Sequence, residues 1–302
     1  MDGVLVVDKP AGPTSHDLVD RVRRALGTRR VGHTGTLDPF ATGVLPICVG
    51  RATRLARFLS GGEKEYLGTV RLGFATTTDD LTGEPLGAPV AFEATAGELS
   101  AAVASLVGSF DQVPPAFSAR HVAGRRLYEL ARRGEAVPRA ASRVTVHALE
   151  LVSRTADTVQ LLVRCSPGTY VRALARDLGE RLGTGAHLTA LRRTRSGAFD
   201  LSQAVPGDDL SDAAGKLMPM AALLMDLPAV TVGEEGRRLL GHGRELGPEV
   251  VVEGFPEGPV ERVRVLDARG ELLALAVPRG FGPEAPGLAR VPALHPDLVL
   301  LG

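Results

Sequence analysis

Between residues 31 and 50 the chain carries four glycines and two prolines, so no single helix can run through VGHTGTLDPFATGVLPICVG. The spacing predicts an ordered loop that feeds a strand over 44–49, followed by a helix bearing Leu55, Phe58 and Leu59. Inside the loop, Gly32 and Gly35 permit tight or left-handed backbone, and Pro39 biases Asp38 away from the helical region. A carboxylate is thereby held on a constrained loop with few local side chains to cover it. By residue type alone, an Asp before Pro is most often a turn former.

On either side of that loop the pattern alternates between strands and helices. Residues 4–7 read as a short buried strand that stops at Lys9-Pro10, and Thr14 or Ser15 caps a helix with Leu18, Val22, Ala25 and Leu26 on one face, ended by Gly27. Over 66–74, Tyr66, Gly68, Val70, Leu72 and Phe74 share one face of a strand, with Thr69 and Arg71 opposite. Gly68 is expected to leave room on that face for a flat ring. Residues 76–87 form an acidic, turn-rich loop, 96–107 a helix, and 159–165 a strand broken at Pro167-Gly168. A helix follows with Val171, Leu174, Ala175, Leu178 and Leu182 on its buried stripe. A connecting helical region over 204–227 leads to Pro228. Beyond it, short strands over 250–252, 260–266 and 272–277 suggest a small β module.

With 44% hydrophobic residues over 302 positions, the chain can bury a sizeable core. No apolar run approaches 18 residues, which predicts no transmembrane helix, and no basic region precedes a hydrophobic stretch near Met1. Cys48 and Cys165 are too few for a disulfide scaffold or a cysteine zinc site, and a cytoplasmic location is expected. The net charge of zero conceals blocks: +4 over 1–60, −5 over 61–110, +7 over 111–200 and −6 over 201–302. Two basic blocks suit a polyanionic partner. Residues 113–143 are basic with prolines at both ends, an excursion able to clamp such a partner.

VGHTGTLDPFATGVLPICVGRATR resembles the catalytic segment of the TruB-type tRNA pseudouridine synthases. The likeness extends over most of the first 200 residues, through VDKPAGPTSHD, EKEYLGTVRLG, PPAFSARHVAGRRLYELARRG and CSPGTYVRALARDLGERLGTGAHLTALRRTRSGAF. It implies an α+β pseudouridine-synthase fold, a mixed, largely antiparallel sheet with flanking helices, over 1–228. Residues 229–302 would form a PUA-like β-rich module. The implied reaction converts the T-loop uridine at position 55 of tRNA to pseudouridine, with base flipping and no cofactor or metal.

Residue roles follow from the same resemblance. Asp38 takes the place of the nucleophilic aspartate, Arg172 of its arginine partner, and Tyr66 of the tyrosine that stacks on the base. Tyr170 and Leu191 would line the uracil pocket, and His33 would insert among the T-loop bases. Arg120, Arg125, Arg126, Arg132, Arg133, Arg192 and Arg193 would meet the RNA backbone. His121 stands where the family commonly has lysine, which puts one phosphate contact in question. The expected partner is the tRNA T-arm, bound by a monomer without a guide RNA or a membrane. The route, by addition at the sugar, addition at the base, or a glycal, stays open at this level. A guide-RNA-dependent enzyme is the rival within the family, and an RNA-folding module the rival outside catalysis.

Overall fold

The computed structural model describes residues 1–116, 140–280 and 292–301, with the backbone alone at 121–122 and 125–126. Its first strand, β1 (Gly3–Lys9), is buried on both faces, as expected of an apolar run inside a sheet. The first helix, α1 (Ser15–Leu26), begins with a capping box in which the Thr14 hydroxyl and the Asp17 carboxylate satisfy each other's backbone N–H. It ends at Gly27, whose φ of 60° is the left-handed cap that glycine adopts without a Cβ clash. Val19 takes the buried position expected of Ala25, which is exposed.

The chain then forms β2 (Val31–His33), β3 (Thr42–Val49), β4 (Lys64–Leu72), α2 (Ala96–Ala104), β5 (Gly108–Gln112), β6 (Ser142–Arg154), β7 (Thr158–Cys165), α3 (Val171–Arg181) and β8 (Ala186–Ser196). The main sheet runs in the order β1-β3-β8-β4-β7-β6-β5. Every neighbouring pair is antiparallel except β3 and β8, which run parallel through Thr42 and Gly43 against Arg192 and Arg193. Gly43 makes this crossing possible. Its φ is 102°, and an added Cβ would lie 2.2 Å from the Arg193 carbonyl oxygen.

Alternation along the strands divides the core in two. Leu5, Val7, Leu45 and Ile47 face α1, α2 and α3. Val4, Val6, Val44 and Cys48 face the other way, against Leu55, Leu59, Leu272, Leu275 and Leu298. The expected alternation in β4 is present from Tyr66 to Leu72, while Phe74 lies past the strand's end. The space over Gly68 is not open to a ring: the side chains of Leu188, Val171 and Leu191 approach where its Cβ would be.

Residues 204–227 are not the expected helical connection. They contain the two-residue strands Val205–Pro206 and Met218–Pro219 and the 3-10 turn Met220–Ala222. Pro206, Gly207, Gly215 and Pro219 interrupt any helix, and Asp209 accepts both the backbone and hydroxyl hydrogens of Ser211 in a local turn. The two short strands pair with β1 and cover its outer edge.

The C-terminal region is a five-stranded sheet, as expected of a β-rich module. Its strands are Ala229–Val232, Val251–Glu253, Val263–Leu266, Leu272–Arg279 and Ala293–Val299, joined by the helix Glu234–Gly241. The first and last strands and the helix were not legible in the sequence pattern. The helix starts at Gly233 without a side-chain cap, which removes the usual marker. Among the described residues no helix is long and apolar enough to cross a membrane.

Candidate active site

A cavity of about 470 Å³ opens between the loop that follows β2, the start of α3 and the faces of β4 and β8. That volume lies within the range of small-molecule sites. Asp38, Tyr66, Tyr170, Arg172 and Leu191 all line it. Sequence positions spread over 153 residues, from Asp38 to Leu191, are thus brought to one place.

Asp38 is held by its backbone and its carboxylate alike. Its carbonyl accepts the Ala41 N–H at 3.1 Å, closing a turn through Pro39. Lys9, fully buried at the end of β1, donates to the carbonyls of Pro10, Pro39 and Ala41 at 2.7–3.0 Å. Ser15, in the first turn of α1, donates to the Leu37 carbonyl and accepts the Leu37 N–H. Arg193, 1% exposed on β8, donates to the carbonyls of Gly35, Thr36 and Val44. The glycine-rich loop has no regular hydrogen-bond ladder of its own, so these buried side chains supply one.

The Asp38 carboxylate, one-third exposed, accepts a hydrogen bond from Arg172 Nη2 at 3.1 Å, and its other oxygen lies 2.9 Å from Arg172 Nε in an ion pair. The two-point contact holds the carboxylate's orientation as well as its charge. Arg172 is itself buried, and its Nη1 donates to Asp80 Oδ2 at 3.2 Å and to the Thr78 carbonyl at 3.1 Å. The other oxygen of Asp80 accepts from the Thr78 and Thr82 hydroxyls and the Thr82 N–H. One turn later on α3, Arg176 pairs with Asp79 and Asp177. Burial pushes the Asp38 pKa up from the ordinary carboxylate value, and the Asp80 charge adds to this, against the opposing pull of Arg172.

Tyr66 is buried, and burial raises its phenol pKa, so the hydroxyl stays protonated at neutral pH. Tyr170 precedes α3, with its N–H and carbonyl both bonded to the Gln112 side chain. His33 lies on β2 beside the cavity but not in its lining. Burial and the nearby Arg193 lower its pKa, and its buried Nδ1 has no hydrogen-bond partner among the described residues.

The expected backbone-binding arginines separate into groups. Arg193 is buried on β8 in the cavity wall, where it donates to the carbonyls of Gly35, Thr36 and Val44 and hydrogen-bonds Tyr66, so in this structure it supports the loop from within. Arg192 points the other way and forks onto Asp8 at 2.7 and 3.1 Å while remaining partly exposed. Arg125 and Arg126 form a two-residue strand paired with His121–Val122. Arg120, Arg132 and Arg133 lie outside the described residues, as does most of the 113–143 excursion.

Three residues central to this geometry are not singled out by the sequence as site residues: Asp80 lies in the acidic, turn-rich loop, Lys9 marks a turn and Ser15 is a candidate cap. The available signals were the Asp79-Asp80 tandem and the lysine immediately before Pro10.

A family model described as the N-terminal domain of TruB family pseudouridylate synthase matches residues 23–171. A second, described as the tRNA pseudouridylate synthase B C-terminal domain, matches residues 172–225. The junction falls within α3, so it is not a boundary between separately folded units. A tRNA pseudouridine synthase B from Leifsonia xyli subsp. xyli is 46% identical over 299 residues, 96% of this chain and 97% of that protein. Its counterpart from Symbiobacterium thermophilum is 48% identical over 246 residues, 80% of this chain and 82% of that one. A solved structure titled as a Cbf5-Nop10-Gar1 complex aligns with a TM-score of 0.73 at 26% identity, covering 99% of this chain and 85% of that chain.

Proposed function

The chain belongs to the TruB family of pseudouridylate synthases, and from that premise we propose that it isomerises the T-loop uridine of tRNA, position 55, with Asp38 as the reacting carboxylate. The observation that carries this reading is the two-point Arg172 contact, which holds a partly exposed Asp38 at the wall of a base-sized cavity. A uridine stacked in an RNA loop cannot present its glycosidic bond to so recessed a group, so the nucleotide has to turn out of the stack first.

In the cavity the N1–C1′ bond opens, the uracil turns, and C5 joins the carbon that N1 left. An ionised carboxylate suits the electron-poor centre of this exchange, as in retaining glycosidases. Arg172 keeps Asp38 aimed, and Asp80 keeps Arg172 from swinging away. Tyr66 offers a flat face to the base and, being neutral, can pass a proton only as a phenol. Tyr170 and Leu191 exclude water. His33, uncharged and with an unpartnered ring nitrogen, is suited to fill the gap left in the RNA by stacking. Arg192 and the 113–143 excursion serve the RNA backbone. Residues 1–228 form the catalytic unit, and 229–302 a separate module. The chain acts as a monomer and needs no guide RNA.

The test is nucleotide-resolved mapping of pseudouridine in a T-arm stem-loop transcript incubated with purified protein and no other RNA. One modified position in the T-loop is expected. An unmodified transcript, or modification only when a second RNA is added, would overturn the proposal.

A further inference from the structure

Four buried cations surround the site: Lys9, Lys64, Arg172 and Arg193 are each at most 5% exposed. Two carboxylates, Asp38 and Asp80, pair with them directly, both through Arg172. Lys9 places all three of its protons on backbone carbonyls, and Arg193 bonds to three carbonyls and to the Tyr66 side chain. Lys64 differs. Its ammonium donates to the carbonyls of Ser60 and Gly62 at 3.1 and 2.6 Å, which accounts for two of its three N–H groups.

Lys64 precedes Tyr66 by two residues on β4, so both side chains leave the same face of the sheet, and both line the cavity. Among the described residues no carboxylate is within ion-pair distance of Lys64. The groups that act on it are Arg193 on β8, a like charge, and the Cys165 thiol on β7. Burial draws its pKa down to about 8, which leaves it protonated at neutral pH. An ammonium buried without a counter-charge is costly, and the cost is relieved when an anion arrives.

On the reading above, on which this inference rests, that anion is produced within the cavity. Heterolysis of N1–C1′ leaves the bonding pair on the uracil, as a monoanion shared among N1, O2 and O4. The phosphates remain in the RNA backbone at the cavity mouth, whereas so deeply buried a group faces what enters furthest. We propose that Lys64 is a further catalytic residue, whose third N–H holds a uracil carbonyl oxygen and stabilises the anion as the glycosidic bond opens. When C5 then bonds to C1′, C5 loses its proton and N1 gains one. Lys64 stays protonated, and no outside oxidant or reductant takes part.

The experiment uses the full chain carrying Lys64→Gln or Lys64→Met. Glutamine can still donate to the Ser60 and Gly62 carbonyls, so it keeps the local tie and loses only the charge. Single-turnover isomerisation of a T-arm stem-loop at saturating RNA should slow about 100-fold in both variants. With 5-fluorouridine at the target position, C5 carries fluorine and has no proton to lose, so the reaction is followed as consumption of the starting nucleotide; the electron-poor ring leaves as a more stable anion, and the penalty on that rate should shrink to about tenfold or less. An equal penalty on both RNAs marks a structural defect and overturns the proposal, as does no penalty on uridine. Lys64→Gln carries the test if Lys64→Met does not fold. Wild-type protein runs alongside: if it is inert on uridine, the isomerase reading itself fails, a result distinct from unimpaired Lys64 variants.

Discussion

The loop bearing Asp38 and the rim of the apolar seam that docks the C-terminal sheet both carry cationic side chains that reach across to backbone carbonyls or a carboxylate. At the loop, Lys9 and Arg193 are buried and each holds three carbonyls. At the seam, Arg51 donates to the Leu300 carbonyl, Arg54 to that of Val299, and Arg57 and Arg262 share the Asp297 carboxylate while stacking on Phe58. These side chains stand partly or largely in solvent. The same chemistry therefore has different consequences. A buried carbonyl stripped of its donor has no water to turn to and costs about 1–3 kcal/mol, whereas an exposed pair is worth about 0–1 kcal/mol. Rigid support is concentrated where a carboxylate must be aimed.

Four substitutions sharpen or break that contrast. Arg172→Lys keeps a charge but cannot meet Asp38 at two points while holding Asp80, and single-turnover isomerisation should fall about 100-fold or more. Arg193→Met strips three loop carbonyls, with about 3 kcal/mol lost in denaturant unfolding and about 30-fold in rate. Asp80→Asn frees Arg172 on one side and should cost about tenfold in rate. It also removes a negative charge that raises the Asp38 pKa. The acid limb of the pH–rate profile, where Asp38 takes up its proton, should accordingly move to lower pH; movement to higher pH contradicts the network. Arg57→Ala at the seam should change stability by less than about 1 kcal/mol, diminishing further in high salt, and leave the rate within about twofold. A larger effect there would erase the distinction between the two regions.

What was legible in the sequence follows the range of the interactions involved. The glycine and proline spacing over 31–50, the alternation in β4 and the capping residues of α1 act within a few positions, and they predict the loop, the strand and the helix. Asp38, Tyr66, Arg172, Tyr170 and Leu191 were recognisable through motif likeness, and the fold gathers them around one cavity. Asp80 was not, because its role depends on Arg172, 92 positions away. Arg193 sits in a run of basic residues that looks like a solvated face, yet β8 turns alternate side chains inward. Residues 204–227 have a helix-like content of alanine and methionine, but paired prolines and glycines divide it into short strands along β1.

The central claim is that one carboxylate, strapped to a rigid loop, performs the chemistry. Burial raises the Asp38 pKa, so ionising it in the folded protein opposes folding, and stability declines as pH rises from the ordinary carboxylate range through the folded pKa. Removing that charge should therefore cost activity without costing stability. The decisive measurement compares wild type and Asp38→Asn for pseudouridine yield in the T-arm stem-loop, with melting temperature taken on the same samples at neutral pH. The account predicts a loss of about 1,000-fold or more in rate with a melting temperature at or above that of wild type. An Asp38→Asn protein that folds and still modifies the loop at a comparable rate would contradict it.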